Sequence, residues 1–221
     1  MDVRALVLDF DGVIADTEPC HFRAFQQVLA GVGLTLSAED YYARYLGFDD
    51  EGAFRAVGSD QGRLFAETEV ADLLRAKAAL LDAALAGGDL LFPGAAEAVR
   101  RLSARVPLAV ASGALRSEIE NVLGRANLLS CIRAIVAAGE TPAGKPAPDP
   151  YLKAVAALRV RPSHAVAVED SHWGVQAARA AGLRCVAVTT SYPASAFADA
   201  DLVVPDLAAL TLDMLERRLS D

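Results

Sequence analysis

The 221-residue chain is poor in histidine and cysteine, with three of each, and holds a single tryptophan. Cys20, Cys131 and Cys185 are scattered and show no metal or redox spacing, which argues against a thiolate zinc site or a redox pair. Spread in this way they read as small buried hydrophobes in a reducing compartment. No apolar run is long enough to span a bilayer. The opening residues pass straight into a strand pattern, without the shape of a secretion signal. A cytoplasmic protein is expected. Positive charge is also scarce. Lys and Arg number 21 against 29 Asp and Glu, and the net charge of −8 opposes nucleic acid or an anionic membrane as partner. There is no internal repeat and no low-complexity tail, and nothing points to an obligate protein partner. Apolar residues make up 53% and charged residues 23%, enough for a sizeable core in one large domain, or in one domain with an insert.

The most informative stretch runs from Arg4 to Thr17. Ala5-Leu-Val-Leu8 has the length and content of a strand buried on both faces. Asp9 stands at its carboxyl end, where open α/β sheets bind ligands. If the chain is still extended there, Asp9 and Asp11 point to the same side, because side chains alternate along a strand. Two carboxylates that close repel unless something positive lies between them. A divalent cation with open water positions, Mg²⁺, suits few carboxylate ligands, and Gly12 allows a tight turn away. Taken alone, Asp-x-Asp-Gly fits an ordinary strand-end turn as well. It does not fit a calcium loop, because Cys20 stands where the closing Glu belongs.

From Thr17 to Ala86 the pattern is helical throughout. Asp16 or Thr17 is a candidate cap for a helix through Ala30, and Ser37 for one that continues from Tyr41 to Leu46 and stops at Gly47. Further helices are expected over 50–57, 61–65 and 67–86, and Gly87-Gly88 breaks the last. Beyond Leu91, strands expected over 106–112, 134–138, 164–170, 183–188 and 202–204 alternate with helices over 95–102, 116–128, 149–158, 173–181 and 207–219. Such alternation predicts an α/β fold, a Rossmann-like three-layer parallel sheet. Residues 1–16 and 87–221 form the α/β core, and an all-helical cap, residues 17–86, is inserted. A cap hinged in this way can cover a site and exclude water.

Several strand ends carry related chemistry. The first ends in Asp9 and Asp11, the second in Ser112-Gly113, and the fourth in Glu169-Asp170; Lys145 lies in the rigid turn from Gly144 to Pro150. A parallel sheet gathers these ends on one edge. Carboxylates hold a hard cation, Ser112 and the amides after it can bind phosphate oxygens, and Lys145 offsets phosphate and carboxylate charge. Each piece also fits a plain structural role, but their shared placement favours a site.

These motifs resemble those of the haloacid dehalogenase-like hydrolase superfamily, in the branch with a helical cap after the first motif. The matching segments are Asp9 to Thr17, Ala111-Ser-Gly113, Gly144-Lys-Pro146 and Val168-Glu-Asp-Ser171. The resemblance implies that Asp9 is a nucleophile forming an aspartyl-phosphate. Asp11 would protonate the leaving oxygen and later take a proton from water. Mg²⁺ would be held by Asp9, the Asp11 main-chain carbonyl and Asp170, supported by Glu169. Ser112, Gly113 and Lys145 would hold the transferring phosphoryl group. Dehalogenases of the superfamily lack the second aspartate, so Asp11 favours phosphoryl transfer.

A narrower resemblance, through Asp16 to Phe25, is to beta-phosphoglucomutase-like proteins. It makes His21 a cap-hinge residue and Lys77 a substrate-contacting one. The chain departs from those mutases at Phe48-Asp-Asp50, where they carry a basic residue and a serine. The expectation is therefore a Mg²⁺-dependent phosphatase of a small phosphorylated metabolite, a sugar phosphate or a phosphoglycolate-like one, with a phosphosugar mutase as the alternative.

Overall fold

The computed structural model describes residues 2–46, 48–85, 87–88 and 90–219. In chain order, β1 (Ala5–Leu8) is followed by the helices α1 (Glu18–Gly31), α2 (Ala38–Asp40), α3 (Asp50–Asp60) and α4 (Glu67–Leu85). Then come α5 (Ala95–Ser103), β2 (Leu108–Ala111), α6 (Arg116–Arg125), β3 (Ile132–Val136), α7 (Asp149–Leu158), β4 (Ala165–Glu169), α8 (His172–Ala180), β5 (Arg184–Val188), β6 (Leu202–Val204) and α9 (Leu212–Arg218). Residues 1–16 and 90–221 form one compact unit and residues 17–89 a second.

In the larger unit the six strands make a parallel sheet in the order β3-β2-β1-β4-β5-β6. This is the doubly wound α/β order, with the chain reversing direction across the sheet at β1. Large and small side chains divide the two faces between them. Leu6, Leu8, Leu108, Val110, Val166, Val168, Val186 and Val188 pack against α5, α6 and α9. On the other face Ala5, Val7, Ala109, Ala111, Ala165, Ala167, Cys185 and Ala187 pack against α7 and α8. Both faces are buried, as the apolar runs predict, and period-two alternation is hidden inside those runs as size rather than polarity. Short side chains let α7 and α8 lie close to the sheet.

The helical unit is built round Phe25, Leu29, Tyr41, Phe54, Val57, Val70 and Leu73. Ser37 caps α2, its hydroxyl accepting from Asp40 N at 3.0 Å, and the chain continues through a wider helical turn at Tyr41–Tyr45. Asp49 caps α3, accepting from Gly52 N at 2.7 Å.

The structure corrects several expectations. Thr17 precedes α1 without a side-chain capping bond. Residues 61–65 are not helical; α3 runs on to Asp60 and the chain then turns, so the polar cluster there ends a helix rather than starting one. The third strand begins at Ile132 rather than Ala134, α6 ends at Arg125 ahead of the positive φ of Asn127, and the last helix starts only at Leu212, capped by Thr211. The expected helix stops at Gly47 and Ala86 lie outside the described residues. Cys20 and Cys185 are buried and Cys131 half-buried, all three free. Among the described residues no helix is long and apolar enough to cross a membrane.

The small face generates a prediction. Ala167 is fully buried beneath α7 and α8, so Ala167→Leu overpacks that layer and costs about 1–3 kcal/mol, read as a lower urea midpoint at unchanged slope. An unaltered midpoint would show that the helices have room to spare.

Candidate active site

Strand register brings the acids together. Leu8 lies opposite Val110 on one side and Val168 on the other, so Asp9 leaves the sheet between the ends of β2 and β4, level with Glu169. Alternation places both carboxylates on the small-residue side: Ala5, Val7 and then Asp9 along β1, and Ala165, Ala167 and then Glu169 along β4. Asp170 follows at once. Oxygens of Asp9, Glu169 and Asp170 lie within 4.8 Å of one another, and all three residues are buried.

Lys145 enters this cluster from the loop before α7. Its Nζ is 2.9 Å from Asp9 Oδ1 and 2.5 Å from Glu169 Oε1. Both lie within ion-pair distance. The Lys145-Pro146 peptide is cis. The loop is anchored at Glu140, which receives Arg116 Nε at 2.6 Å and Nη2 at 3.0 Å, while Lys153 Nζ donates to its carbonyl at 2.7 Å. The Arg116 guanidinium holds the Glu140 carboxyl down at about 2.

Further contacts fix each carboxylate. Phe10 N donates to Asp9 Oδ1 at 2.8 Å. Glu169 receives the Tyr151 hydroxyl at 2.6 Å, the Ser171 hydroxyl at 3.1 Å and Asp170 N at 3.2 Å. Ser171 also caps α8 by accepting from Gly174 N at 3.1 Å. Gly174 carries no side chain where the Glu169 carboxylate lies; a Cβ there would overlap it. Gly12 does the same for Asp170, and its φ of +75° also disfavours any side chain. On the neighbouring strand end, the Ser112 hydroxyl is buried and accepts from Ala114 N at 3.1 Å, and open space lies where a Gly113 side chain would be.

The electrostatics follow from geometry. Burial pushes the Asp9 carboxyl up to about 7, with Lys145 opposing the rise and Glu169 and Asp11 adding to it. Burial, with Asp9 and Glu169 beside it, raises Asp170 well above the carboxylate range. Burial alone would lower Lys145, but the two carboxylates outweigh it and hold its pKa above the ordinary lysine value. Were all three ionised, the carboxylates would outnumber the one ammonium by two charges in a buried site. A hard divalent cation with oxygen ligands fits that donor set and that surplus. The half-buried Asp11 is outside the group of three whose oxygens converge.

His21 and Lys77 belong to the helical unit and meet each other there. Lys77 is fully buried, with Nζ 2.5 Å from Asp50 Oδ1, 3.0 Å from His21 Nδ1 and 4.3 Å from the centre of the Phe25 ring. Burial and the Lys77 charge lower His21 to about 3, so the imidazole is neutral and Nδ1 accepts. The lysine is therefore committed inside its own unit, and Asp50, with 47% of its side chain exposed, is the member open to solvent.

Sequence reasoning missed two residues. Thr190 Oγ1 donates to the Gly12 carbonyl at 2.5 Å, and the Ser191 hydroxyl donates to Asp170 Oδ2. The signal was present, since Thr189-Thr-Ser191 follows β5 just as Ser112 follows β2.

Comparison with known proteins gives the family. The family described as haloacid dehalogenase-like hydrolase matches residues 3–182. Protein CbbY of Rhodobacter capsulatus is 35% identical over 95% of this chain and 96% of its own length. The fructose-1-phosphate phosphatase of Escherichia coli is 32% identical over 83% and 95%. A solved structure of a CbbY mutant from Rhodobacter sphaeroides in complex with xylulose-(1,5)bisphosphate superposes with a TM-score of 0.82 at 30% identity, covering 94% of this chain and 96% of that one. The chain belongs to the haloacid dehalogenase-like hydrolase family. It is an enzyme of that family, whose members include named phosphatases.

Asp9 yields a pH prediction. Its folded carboxyl keeps a proton up to about pH 7, against an ordinary value of 3.8. The folded state binds more protons, so this contribution to stability is complete below the ordinary value and is lost as pH rises through 7. In chelator, the thermal midpoint should fall more between pH 5 and pH 8 for the parent protein than for Asp9→Asn. Equal slopes would show that Asp9 titrates normally.

Proposed function

We propose that the chain is a Mg²⁺-dependent phosphatase that hydrolyses a small sugar phosphate through an aspartyl-phosphate on Asp9. The observation that carries this reading is the buried group of Asp9, Glu169 and Asp170 around Lys145 at the carboxyl edge of the sheet. The relatives' names, a fructose-1-phosphate phosphatase and a protein seen with a sugar bisphosphate, support the substrate class.

Asp9, Asp170 and the Asp11 carbonyl would hold the cation, with Glu169 in support. A Mg²⁺ ion held there would offset carboxylate charge and supply Lewis-acid polarisation of the phosphoryl group. Phe10 N and Lys145 both engage Asp9 Oδ1, which leaves Oδ2 to attack phosphorus. The bond from phosphorus to the ester oxygen breaks as the Asp9 oxygen bonds to phosphorus. Asp11 gives its proton to the departing alcohol. Water then attacks the aspartyl-phosphate, Asp11 takes its proton, and inorganic phosphate leaves with Asp9 restored. Ser112, Gly113 and Lys145 hold the phosphoryl oxygens and offset their charge, strongest where water is excluded.

The test is phosphate release from a panel of phosphomonoesters and sugar bisphosphates, with Mg²⁺ and with chelator. Release from one or a few sugar phosphates, abolished by chelator and lowered about 10⁴-fold or more in Asp9→Asn, is expected for loss of a covalent nucleophile. Asp9→Asn with intact turnover would falsify the covalent step. Isomerised hexose phosphate with no free phosphate would establish a mutase instead.

A further inference from the structure

We propose that Thr190 and Ser191 are positioning residues for the metal, a clamp on the loop after β5 that ties the turn after Asp9 to the Asp170 carboxylate. This rests on the metal-dependent reading above. Thr190 Oγ1 donates to the Gly12 carbonyl at 2.5 Å, and Ser191 Oγ donates to Asp170 Oδ2. Two adjacent hydroxyls on one loop thus reach the ends of two other strands, β1 and β4.

The three groups are interlocked. A Cβ on Gly12 would overlap the Asp170 carboxylate and lie 3.0 Å from Ser191 Oγ. The missing side chain is what allows the carboxylate, the turn and the serine to occupy neighbouring positions. Ser191 occupies Oδ2 of Asp170 and so fixes the rotation of the carboxylate, leaving Oδ1 as the oxygen for a cation. Thr190 fixes the Gly12 carbonyl, and with it the turn closed by Gly12 N donating to Ala15 O at 2.9 Å. The Asp11 carbonyl lies in that same turn.

A folding role alone accounts poorly for this arrangement. Ser191 is an exposed residue. A hydroxyl within reach of water gains little net stability by exchanging water for a protein acceptor. It gains more as an orienting partner, because ligand carboxylates that are held by hydrogen bonds bind metal more tightly. Loss of such a partner typically costs 10–100-fold in affinity.

The experiment is calorimetric titration of Mg²⁺ into the metal-free enzyme without substrate, alongside thermal midpoints in chelator. Asp170→Asn is the control that should remove the binding heat. Ser191→Ala and Thr190→Val should each raise the Mg²⁺ dissociation constant about 10–100-fold, with midpoints in chelator close to the parent. Ser191→Thr and Thr190→Ser, which keep the hydroxyls, should restore most of the affinity. Dissociation constants unchanged in Ser191→Ala and Thr190→Val would overturn the clamp. So would a loss of affinity matched by a fall in the chelated midpoint that the hydroxyl-keeping variants do not rescue. Binding heat that persists in Asp170→Asn overturns the metal assignment itself, and the clamp with it, a result distinct from unchanged affinity in the serine variant.

Discussion

Three carboxylates buried with oxygens inside 4.8 Å of one another repel, and the larger unit is arranged around that repulsion. The conflict begins in the sheet. β1 and β4 are neighbours in parallel register, so alternation delivers Asp9 and Glu169 to the same face at the same level. One ammonium, Lys145, lies between them. Everything else near the cluster supplies a donor or makes room. Tyr151, Ser171 and the Asp170 amide satisfy Glu169, and Ser191 satisfies Asp170. Gly174 and Gly12 give up the volume that the two carboxylates occupy. Burial first, and the neighbouring carboxylates after it, raise the carboxyls of Asp9 and Asp170.

What could be read from the sequence follows from range. Apolar runs such as Ala5–Leu8 and Ala165–Val168 declare buried parallel strands because their character is local, and each ends in chemistry that names itself. The assignment of faces was less visible. Both faces are apolar, so only the alternation of Leu and Val with Ala separates them, and that alternation decides which helices pack where. Boundaries moved where capping depends on geometry, as at Thr211 and Asn127. Thr190 and Ser191 follow β5 as Ser112 follows β2, but the sequence does not show which groups they reach. Their partners, Gly12 and Asp170, are distant in sequence and adjacent only through strand order.

The helical unit shows the same limit from another side. Phe48-Asp-Asp50 stands out in the sequence as a departure from the mutase pattern, and its content is structural in part. Asp49 caps α3, and Asp50 pairs with a lysine that would otherwise be an isolated buried charge. Lys77 lies with Val70, Leu73, Leu81 and Leu85 on the buried face of α4. What periodicity cannot tell is which acid reaches it from another helix. With Asp50 on one side and the neutral His21 acceptor on the other, the lysine charge is spent within the unit.

A protein could remove the repulsion at Asp9 by placing a second lysine beside Asp170. That would stabilise the fold and occupy the carboxylate oxygens permanently. The observed arrangement leaves the three carboxyls with a single cationic partner, in a place where burial makes their charged forms unfavourable. Such local strain persists only where the surroundings over-determine it. Here they do. Each strand that carries a carboxylate is hydrogen-bonded on both sides within the sheet and covered by helices on both faces. The acids therefore cannot separate, and the relief available to them is protonation or a cation. A divalent cation held by these oxygens would relieve the repulsion, and its affinity would then be set by the same packing that holds the strands together.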